Sequence, residues 1–278
     1  MDTFTIGGDL EVNRLGFGAM RITGDGIWGP PHDPEEAKRL LRRVVDLDVN
    51  LIDTADAYGP EVSENLIAEA LHPYPEDLVI ATKGGLRRTG PGEWPRDAHP
   101  KRLKECCEAS LRRLRLERID VYQLHAPDPE VPLEDSLGAL RELQEEGKIR
   151  HIGVCNVSVE ELQRAQGVVD VVTVQNRYNL ADRSGEDVLE ACERNGIGFI
   201  PWFPLATGDL ARSGGPLDEL ARSHEATPGQ LALAWLLARS PIMLPIPGTG
   251  SVEHFEENVA AQRTSLDDDE LERLAAAA

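Results

Sequence analysis

Short apolar runs alternate along the chain with longer stretches in which apolar residues recur at helical spacing. The apolar runs predict buried strands, because each one is bounded by turn-forming or polar residues. These strands are predicted at 15–19, 50–53, 78–82, 119–124, 149–154, 169–174, 197–202 and 243–246. The stretches between and after them predict helices at 33–47, 63–71, 100–116, 133–146, 159–166, 186–195, 227–239, 251–259 and 266–275.

Local signals support several of these boundaries. Asp33 precedes Pro34, with Glu36 three residues after it, and this is the pattern of an N-cap, a first helical proline and a capping acid. The run Thr227-Pro228-Gly229-Gln230 has the same form. Residues 1–14 predict an N-terminal hairpin that turns at Gly7-Gly8-Asp9.

Eight units of strand followed by helix are what a closed parallel barrel requires. The sequence therefore predicts an α/β fold, a single (β/α)8 TIM barrel with an N-terminal β-hairpin. Two Rossmann-like halves would need a glycine-rich phosphate turn directly after a strand, and the sequence has none. Since no linker or compositional break divides the chain, we expect residues 1–278 to form one domain.

Composition narrows the range of partners. The net charge of −20 and a pI near 4.7 argue against nucleic acid and anionic membrane surfaces. The N-terminus shows no signal peptide, and no apolar run approaches the ~20 residues that span a bilayer. Cysteines 106, 107, 155 and 192 fit neither a metal-binding spacing nor a disulfide framework. Reduced thiols in a cytoplasmic protein are the expected state.

Titratable side chains lie at the ends of three neighbouring predicted strands. Asp53 and Tyr58 follow the second strand, Lys83 ends the third and His125 ends the fourth. Because the carboxyl ends of parallel barrel strands open on the same face, we expect these four side chains to be neighbours in space.

Together these side chains suit proton transfer to a carbonyl oxygen. Tyrosine has a pKa near ~10, and a nearby ammonium such as that of Lys83 lowers it. Asp53 would hold Lys83 charged, and His125 would bind the substrate oxygen or assist proton relay. The site supplies a proton but no reductant, so it implies a hydride-donating cofactor.

Ordered motifs along essentially the whole chain resemble the aldo-keto reductases, of the bacterial type with a short C-terminal tail. They are L-G-F-G at 15–18, D-T-A-D-A-Y-G at 53–59, A-T-K-G-G at 81–85, Q-L-H at 123–125, G-K-I-R-H-I-G-V-C-N at 147–156, V-Q-N-R-Y-N at 174–179 and I-P-G-T at 246–249. The resemblance implies NAD(P)H-dependent reduction of aldehydes or ketones, with a small-molecule carbonyl substrate. It also implies a catalytic tetrad of Asp53, Tyr58, Lys83 and His125, in which Tyr58 is the general acid.

The resemblance further implies a cofactor site. Asn156 and Gln175 would bind the nicotinamide carboxamide, and Trp202 would stack on the nicotinamide ring. The positions expected near the rest of the cofactor are Gly18 and Ala19 at the end of the first strand, Leu205, Thr207 and Gly208 along the pyrophosphate, and Gly248, Thr249, Ser251, His254, Glu257 and Asn258 around the adenosine and its 2′-phosphate.

Some positions depart from the family pattern. Cys155 stands where many members have Ser, which weakens one carboxamide hydrogen bond. Gly248 and His254 replace a Lys and an Arg that often hold the 2′-phosphate. NADP is the expected cofactor as the family's usual choice, with NAD as the alternative. The short tail predicts an open pocket walled by 20–28, 86–94 and 126–132, in which Trp28 and Trp94 are candidate substrate contacts.

Two alternative functions use other features of the same sequence. A redox-sensing regulatory subunit would keep the barrel and the cofactor without significant turnover, although an intact tetrad counts against it. A metal-dependent barrel hydrolase or isomerase would use Asp53, His125 and Asp128. The sequence has no His-x-His pair and no clustered carboxylates at strand ends to support it.

Overall fold

A computed structural model of the chain describes residues 2–206 and 217–277. The strands are β1 Thr3–Ile6, β2 Leu10–Asn13, β3 Phe17–Gly18, β4 Leu51–Asp53, β5 Val79–Gly84, β6 Ile119–Leu124, β7 Ile149–Cys155, β8 Val171–Arg177 and β9 Gly198–Trp202. The α-helices are α1 Pro34–Asp46, α2 Val62–Leu71, α3 Pro100–Leu114, α4 Leu133–Glu145, α5 Val159–Gln166, α6 Glu186–Asn195, α7 Asp218–Ser223, α8 Pro228–Arg239, α9 Val252–Ala260 and α10 Asp268–Ala277.

Strands β3 to β9 form one parallel sheet in chain order, each strand beside the next. The backbone of residues 242–246 lies between β9 and β3 and joins both. Phe199 N donates to Ile242 O (2.9 Å), Leu244 N to Phe199 O (2.8 Å) and Gly16 N to Pro245 O (2.9 Å). These bonds close the sheet into the predicted barrel.

The eighth predicted strand is therefore present as a hydrogen-bonded segment rather than as a regular strand. Its one parallel bridge in the described chain joins Met243 to Phe199. Proline has no N–H to donate to a sheet ladder, and Pro245 lies within this segment while Pro247 directly follows it. The first strand of the barrel, β3, is also shorter than predicted: it has two residues, whereas the prediction was 15–19.

The predicted hairpin is confirmed, with β1 and β2 paired antiparallel from Thr3 opposite Asn13 to Ile6 opposite Leu10. Its buried side chains form one apolar cluster with side chains of the barrel strands. This cluster consists of Ile6, Leu10, Val12, Leu51, Val79, Ala81, Val121, Val172, Ile200, Leu244 and Ile246. The amino-terminal end of the barrel is thus filled, and the carboxyl end of the strands is left for a site.

The helices begin where capping chemistry predicts. The Asp33 carboxylate accepts hydrogen bonds from the backbone N–H groups of Glu35 and Glu36, each at 3.0 Å. Thr227 and Gln230 form a reciprocal capping box at the start of α8. Each such bond satisfies a backbone donor that the first helical turn cannot satisfy by itself.

Helix ends and one short helix differ from the prediction. Helix α3 ends at Leu114 rather than 116, because Arg115 adopts a left-handed conformation (φ 55°) that stops the helix. Helix α7 was not predicted, since six residues are too few to show a helical period. Within residues 2–206 and 217–277, no helix is both long and apolar enough to cross a membrane.

Candidate active site

Four predicted side chains meet at the carboxyl end of the barrel. Asp53 ends β4, Lys83 lies near the end of β5 and His125 follows β6. Lys83 Nζ donates to Asp53 Oδ2 at 2.6 Å and to the Tyr58 hydroxyl at 3.3 Å. The rings of Tyr58 and His125 lie edge to face, with centroids 5.9 Å apart. The topology therefore brings together residues that the sequence separates widely.

A tight turn after β4 sets the position of Tyr58. The Tyr58 N–H donates to Ala55 O at 3.1 Å, and the Ser63 N–H donates to Tyr58 O at 3.1 Å as α2 begins. Gly59 has φ +104°, and a Cβ there would lie 2.4 Å from a side-chain carbon of Val62. Glycine is required at this position for both reasons. The D-A-Y-G motif thus has a conformational basis.

Lys83 is fully buried and lies beneath the Tyr58 hydroxyl. Burial is the largest single influence on the pKa of Lys83 and would lower it. Together with Tyr58 and Cys155, however, Asp53 outweighs burial through its charge and its hydrogen bond, and the pKa is raised. Thr54 O accepts a further hydrogen bond from Nζ at 2.8 Å. The amine is therefore held as an ammonium.

The pKa of Tyr58 differs from the simple expectation. Burial raises the pKa of Tyr58 to about 12, and the charge of Lys83 acts in the opposite direction without overcoming it. The predicted lowering by Lys83 is thus one influence among several, and desolvation is the larger one. The hydroxyl keeps its proton at neutral pH and can donate it.

His125 is held as a neutral imidazole. Burial and the nearby charge of Lys83 lower the pKa of His125 well below its usual range. Its Nδ1 atom is buried and has no hydrogen-bond partner among the described residues. A neutral ring with an unsatisfied polar atom is suited to binding a polar ligand group.

Two glutamines that flank Asp53 complete its hydrogen bonding. Asp53 Oδ1 accepts from Gln175 Nε2 at 2.7 Å and from Gln123 Nε2 at 3.1 Å. Gln123 Oε1 in turn accepts from the Cys155 thiol, with a sulfur–oxygen distance of 3.7 Å. Gln123 was not predicted as a site residue. The signal was present, because residues two apart on a strand face the same side and Gln123 is two before His125.

Asn156 links strand β7 to β6 and β9. It has a left-handed backbone (φ 57°), which asparagine tolerates better than most residues. Its Nδ2 donates to His125 O at 2.9 Å, and its Oδ1 accepts from Trp202 Nε1 at 2.9 Å. The indole of Trp202 is thereby fixed at the mouth of the site.

A cavity of ≈ 730 Å³ opens above these residues. It runs from Asp53, Tyr58 and His125 to residues 247–250, which follow the closing segment 242–246. The lining residues are Gly18, Met20, Arg21, Ile27, Asp53, Tyr58, Leu86, Trp94, His125, Asn156, Gln175, Trp202, Phe203, Pro204, Leu205, Ile246, Pro247, Gly248, Thr249 and Gly250. Seven of the positions predicted for the cofactor are among them, and so are Met20, Arg21, Ile27, Leu86 and Trp94 from the predicted walls.

Other predicted positions lie elsewhere. Ala19 is buried behind the cavity, and its carbonyl accepts from Ser63 Oγ at 3.0 Å. Ser251 caps helix α9 by accepting from the His254 N–H at 3.4 Å. The predicted cofactor positions outside the cavity lining are Ala19, Ser251, His254, Glu257 and Asn258, and the wall positions outside it are 22–26, Trp28, 87–93 and 126–132. Thr207 and Gly208 lie outside the described residues.

Arg21 lies in the predicted wall 20–28, but the sequence reasoning did not single it out as a cation of the site. Arg21 is the one Lys or Arg among the described residues that line the cavity. Its side chain forms no hydrogen bond or ion pair with another described residue. A Cβ placed on Gly248 would lie 3.6 Å from Arg21 Cγ, so the two positions adjoin. The cavity thus has a cation beside Gly248, and elsewhere the amides of Asn156 and Gln175 and the indole of Trp202. This arrangement fits an anionic dinucleotide.

The carboxylate of Asp128, which the metal-dependent alternative requires, serves the local backbone. It accepts from Ala98 N at 3.1 Å and from Glu130 N at 3.0 Å. No group of three or more His, Cys, Asp or Glu residues in the described part of the chain could hold a metal ion. Asp128 thus stabilises the loop after β6.

A parallel barrel with a cavity and a cluster of titratable side chains at the carboxyl ends of its strands has the arrangement of a barrel enzyme. The family model described as "Aldo/keto reductase family" matches residues 14–278, and the chain belongs to that family. An oxidoreductase of Schizosaccharomyces pombe is 51% identical over 96% of this chain and 87% of its own length. Pyridoxine 4-dehydrogenase of Escherichia coli is 42% identical over 98% and 97%. The structure of an aldo-keto reductase from Klebsiella pneumoniae in complex with NADPH matches with a TM-score of 0.84 and 29% identity, over 98% of this chain and 93% of that one.

Proposed function

We propose that this protein reduces aldehydes or ketones to alcohols with a nicotinamide cofactor, and that Tyr58 is the general acid. The observation that carries the proposal is that Tyr58 lines the cavity and that Lys83 Nζ lies 3.3 Å from its hydroxyl oxygen. A protonated phenol backed by a buried ammonium can give up its proton without leaving an unstabilised anion.

The bound cofactor would supply the hydride that adds to the carbonyl carbon. As the C=O electron pair moves to oxygen, Tyr58 transfers its proton there and the alcohol forms. Lys83 stabilises the resulting phenolate, and the Asp53 carboxylate, 2.6 Å from Lys83 Nζ, keeps the ammonium in place. His125, neutral and beside Tyr58, can hydrogen-bond the substrate oxygen and orient it.

NADP is the proposed cofactor, with NAD as the alternative. Asn156 and Gln175 would hold the nicotinamide carboxamide and Trp202 its ring, while Gly18, Gly248 and Thr249 line the other end. Support comes from the Klebsiella pneumoniae neighbour, which is a complex with NADPH. Arg21 offers the cation that Gly248 and His254 do not.

A carbonyl compound with an aromatic ring is the proposed substrate class. The Escherichia coli relative is named for pyridoxine, a pyridine alcohol. The substrate end of the cavity is apolar and partly aromatic, with Ile27, Leu86, Trp94 and Phe203 among its walls. A cytoplasmic location is part of the proposal, supported by four free, buried thiols.

Fluorescence titration with NADPH and with NADH tests the cofactor assignment, on the wild type and on Arg21→Ala. We expect wild type to bind NADPH, and Arg21→Ala to weaken that binding about tenfold, since a charge-assisted hydrogen bond contributes about 1.5–3 kcal/mol. The matched control is Arg42→Ala, an exposed arginine on α1 away from the cavity. Weakening confined to NADPH assigns Arg21 to the 2′-phosphate, and equal weakening of both nucleotides assigns it to the pyrophosphate. No binding of either nucleotide by the wild type would refute the proposed function.

A further inference from the structure

Arg88 lies in the loop after β5 and donates all of its hydrogen bonds to backbone carbonyls. Nε donates to Glu93 O at 3.0 Å. Nη1 donates to Ile27 O at 2.7 Å and to Ala57 O at 3.0 Å. Nη2 donates to Gly26 O at 3.0 Å and to Gly90 O at 3.3 Å. A guanidinium has five N–H groups, so its full donor capacity is used here.

The five acceptors come from three separate parts of the active-site rim. Gly26 and Ile27 belong to the loop after β3, and Gly90 and Glu93 belong to the loop after β5. Ala57 is the residue immediately before Tyr58. One side chain therefore joins two loops of the substrate side to the segment that carries the proposed acid.

The same guanidinium also lies against two indole rings. Its central carbon is 3.6 Å from the ring centroid of Trp94 and 5.6 Å from that of Trp28. Trp94 lines the cavity and meets Tyr58 edge to face, with ring centroids 6.3 Å apart. Because Arg88 covers one face of Trp94, a substrate meets the other face or the ring edge.

No acidic side chain among the described residues pairs with Arg88. Its partners are carbonyl oxygens and aromatic faces, and this arrangement depends on a planar fork of donors. Lysine has three donors at a single point and no planar face, so it can neither make all five hydrogen bonds nor stack on Trp94 in the same way. The arrangement is thus specific for arginine rather than for positive charge.

We propose that Arg88 is the positioning residue of the substrate side, which fixes Tyr58 through the Ala57 carbonyl and presents Trp94 as the wall for an aromatic substrate ring. The inference rests on the proposed carbonyl reduction and deepens it. It assigns two separable effects to one side chain. The link to Ala57 governs the rate for every substrate, and the stack on Trp94 governs affinity for substrates with a ring.

Steady-state kinetics with NADPH separate the two effects, using 4-nitrobenzaldehyde as the aromatic probe and propanal as the small one. We expect Arg88→Lys to lower kcat for both aldehydes by about tenfold to a hundredfold, since small displacements of a catalytic group have effects of this size. We expect it to raise KM for the aromatic aldehyde alone. The matched control is Arg87→Lys. Arg87 is the neighbouring residue, its side chain is 55% exposed, and its ion pair with Asp97 is long, at 3.7 Å.

A second variant keeps the test decisive if Arg88→Lys folds poorly. Trp94→Leu removes the ring on which Arg88 stacks but none of the carbonyl groups that it bonds, and we expect it to raise KM for the aromatic aldehyde about tenfold, more than it raises KM for propanal. Equal kinetics of Trp94→Leu and wild type on both aldehydes would overturn the role of the wall. Arg88→Lys kinetics equal to those of Arg87→Lys would overturn the role of Arg88.

Stability and nucleotide binding complete the experiment. A uniform loss of kcat, of affinity for both aldehydes and of NADPH binding, in step with a lower melting temperature, would make Arg88 merely structural and would overturn the inference. If the wild type itself reduces neither aldehyde, the proposed function fails before Arg88 is tested. The two failures are therefore distinguishable.

Discussion

The carboxylate of Asp53 organises the site at the scale of single residues. One of its oxygens accepts from Lys83 and the other from Gln123 and Gln175. Asp53 is 1% exposed and Lys83 is fully buried. Two opposite charges removed from water in this way need each other, because either one alone would bear the full cost of desolvation.

Replacing Asp53 with Asn should therefore affect both stability and activity. The substitution leaves the Lys83 ammonium buried without its counter-ion, and we expect the free energy of unfolding at pH 7 to fall by about 3–5 kcal/mol. The ammonium also loses the hydrogen bond that holds it behind Tyr58, so it stabilises the Tyr58 phenolate less well and kcat drops. Denaturant unfolding and steady-state kinetics measure the two effects. Asp170→Asn, on an exposed aspartate before β8, is the control, and equal stability of the two variants would contradict this account.

At the scale of elements, a second buried charge cluster joins helices α2 and α3 to the β4–α2 turn. Glu64 on α2 is fully buried, and its two oxygens accept from Thr82 Oγ1 and from Arg113 Nε, each at 2.6 Å. Asp56, two residues before Tyr58, faces this cluster, and its Oδ1 is buried without a partner among the described residues. The turn that positions the proposed acid thus rests on an incompletely paired carboxyl group.

The cluster predicts a pH-dependent stability. Burial, and then the like charge of Glu64, raise the pKa of Asp56 from 3.8 to about 7, with Cys106, Arg113 and Arg102 acting in the opposite direction. The unfolded chain releases this proton near pH 4, whereas the folded protein holds it until about pH 7. The stability that Asp56 contributes is therefore fully present below pH 4 and is lost as the pH rises towards 7.

Asp56→Asn should remove this dependence, because an amide does not ionise. We expect the free energy of unfolding of the variant to exceed that of wild type by about 2–4 kcal/mol at pH 8, and the two values to differ little at pH 4. Urea unfolding across this pH range is the measurement. Asp170→Asn again serves as the control. Parallel pH profiles of Asp56→Asn and wild type would show that Asp56 is not the titrating group.

At the scale of the whole molecule, strand and helix periodicity was enough to predict the barrel and its hairpin. It could not predict the form of the closing segment, because the prolines at 245 and 247 limit its hydrogen bonding while leaving its apolar pattern unchanged. The order of strand ends also placed Asp53, Tyr58, Lys83 and His125 together, since parallel topology fixes which ends are neighbours.

Other parts of the site depend on geometry that no linear pattern contains. Gln123 was identified as a partner of Asp53 only when side-chain directions were known, although its alternation with His125 was visible. Arg21 and Arg88 are loop arginines in a chain with many arginines, and spacing alone does not distinguish them from exposed ones such as Arg87. The pKa of Tyr58 was misjudged in one respect, because the sequence shows neighbouring charges but not the extent of burial.

The most direct test of the account is the rate of carbonyl reduction by Tyr58→Phe, measured with NADPH and 4-nitrobenzaldehyde alongside NADPH binding. Phenylalanine keeps the ring and its packing but removes the proton that the account assigns to the substrate oxygen. We expect kcat to fall by about a hundredfold or more with NADPH affinity unchanged, as general acid catalysis typically contributes about 10²–10⁴-fold. Wild-type turnover that Tyr58→Phe retains in full would contradict the assignment of Tyr58 as the acid.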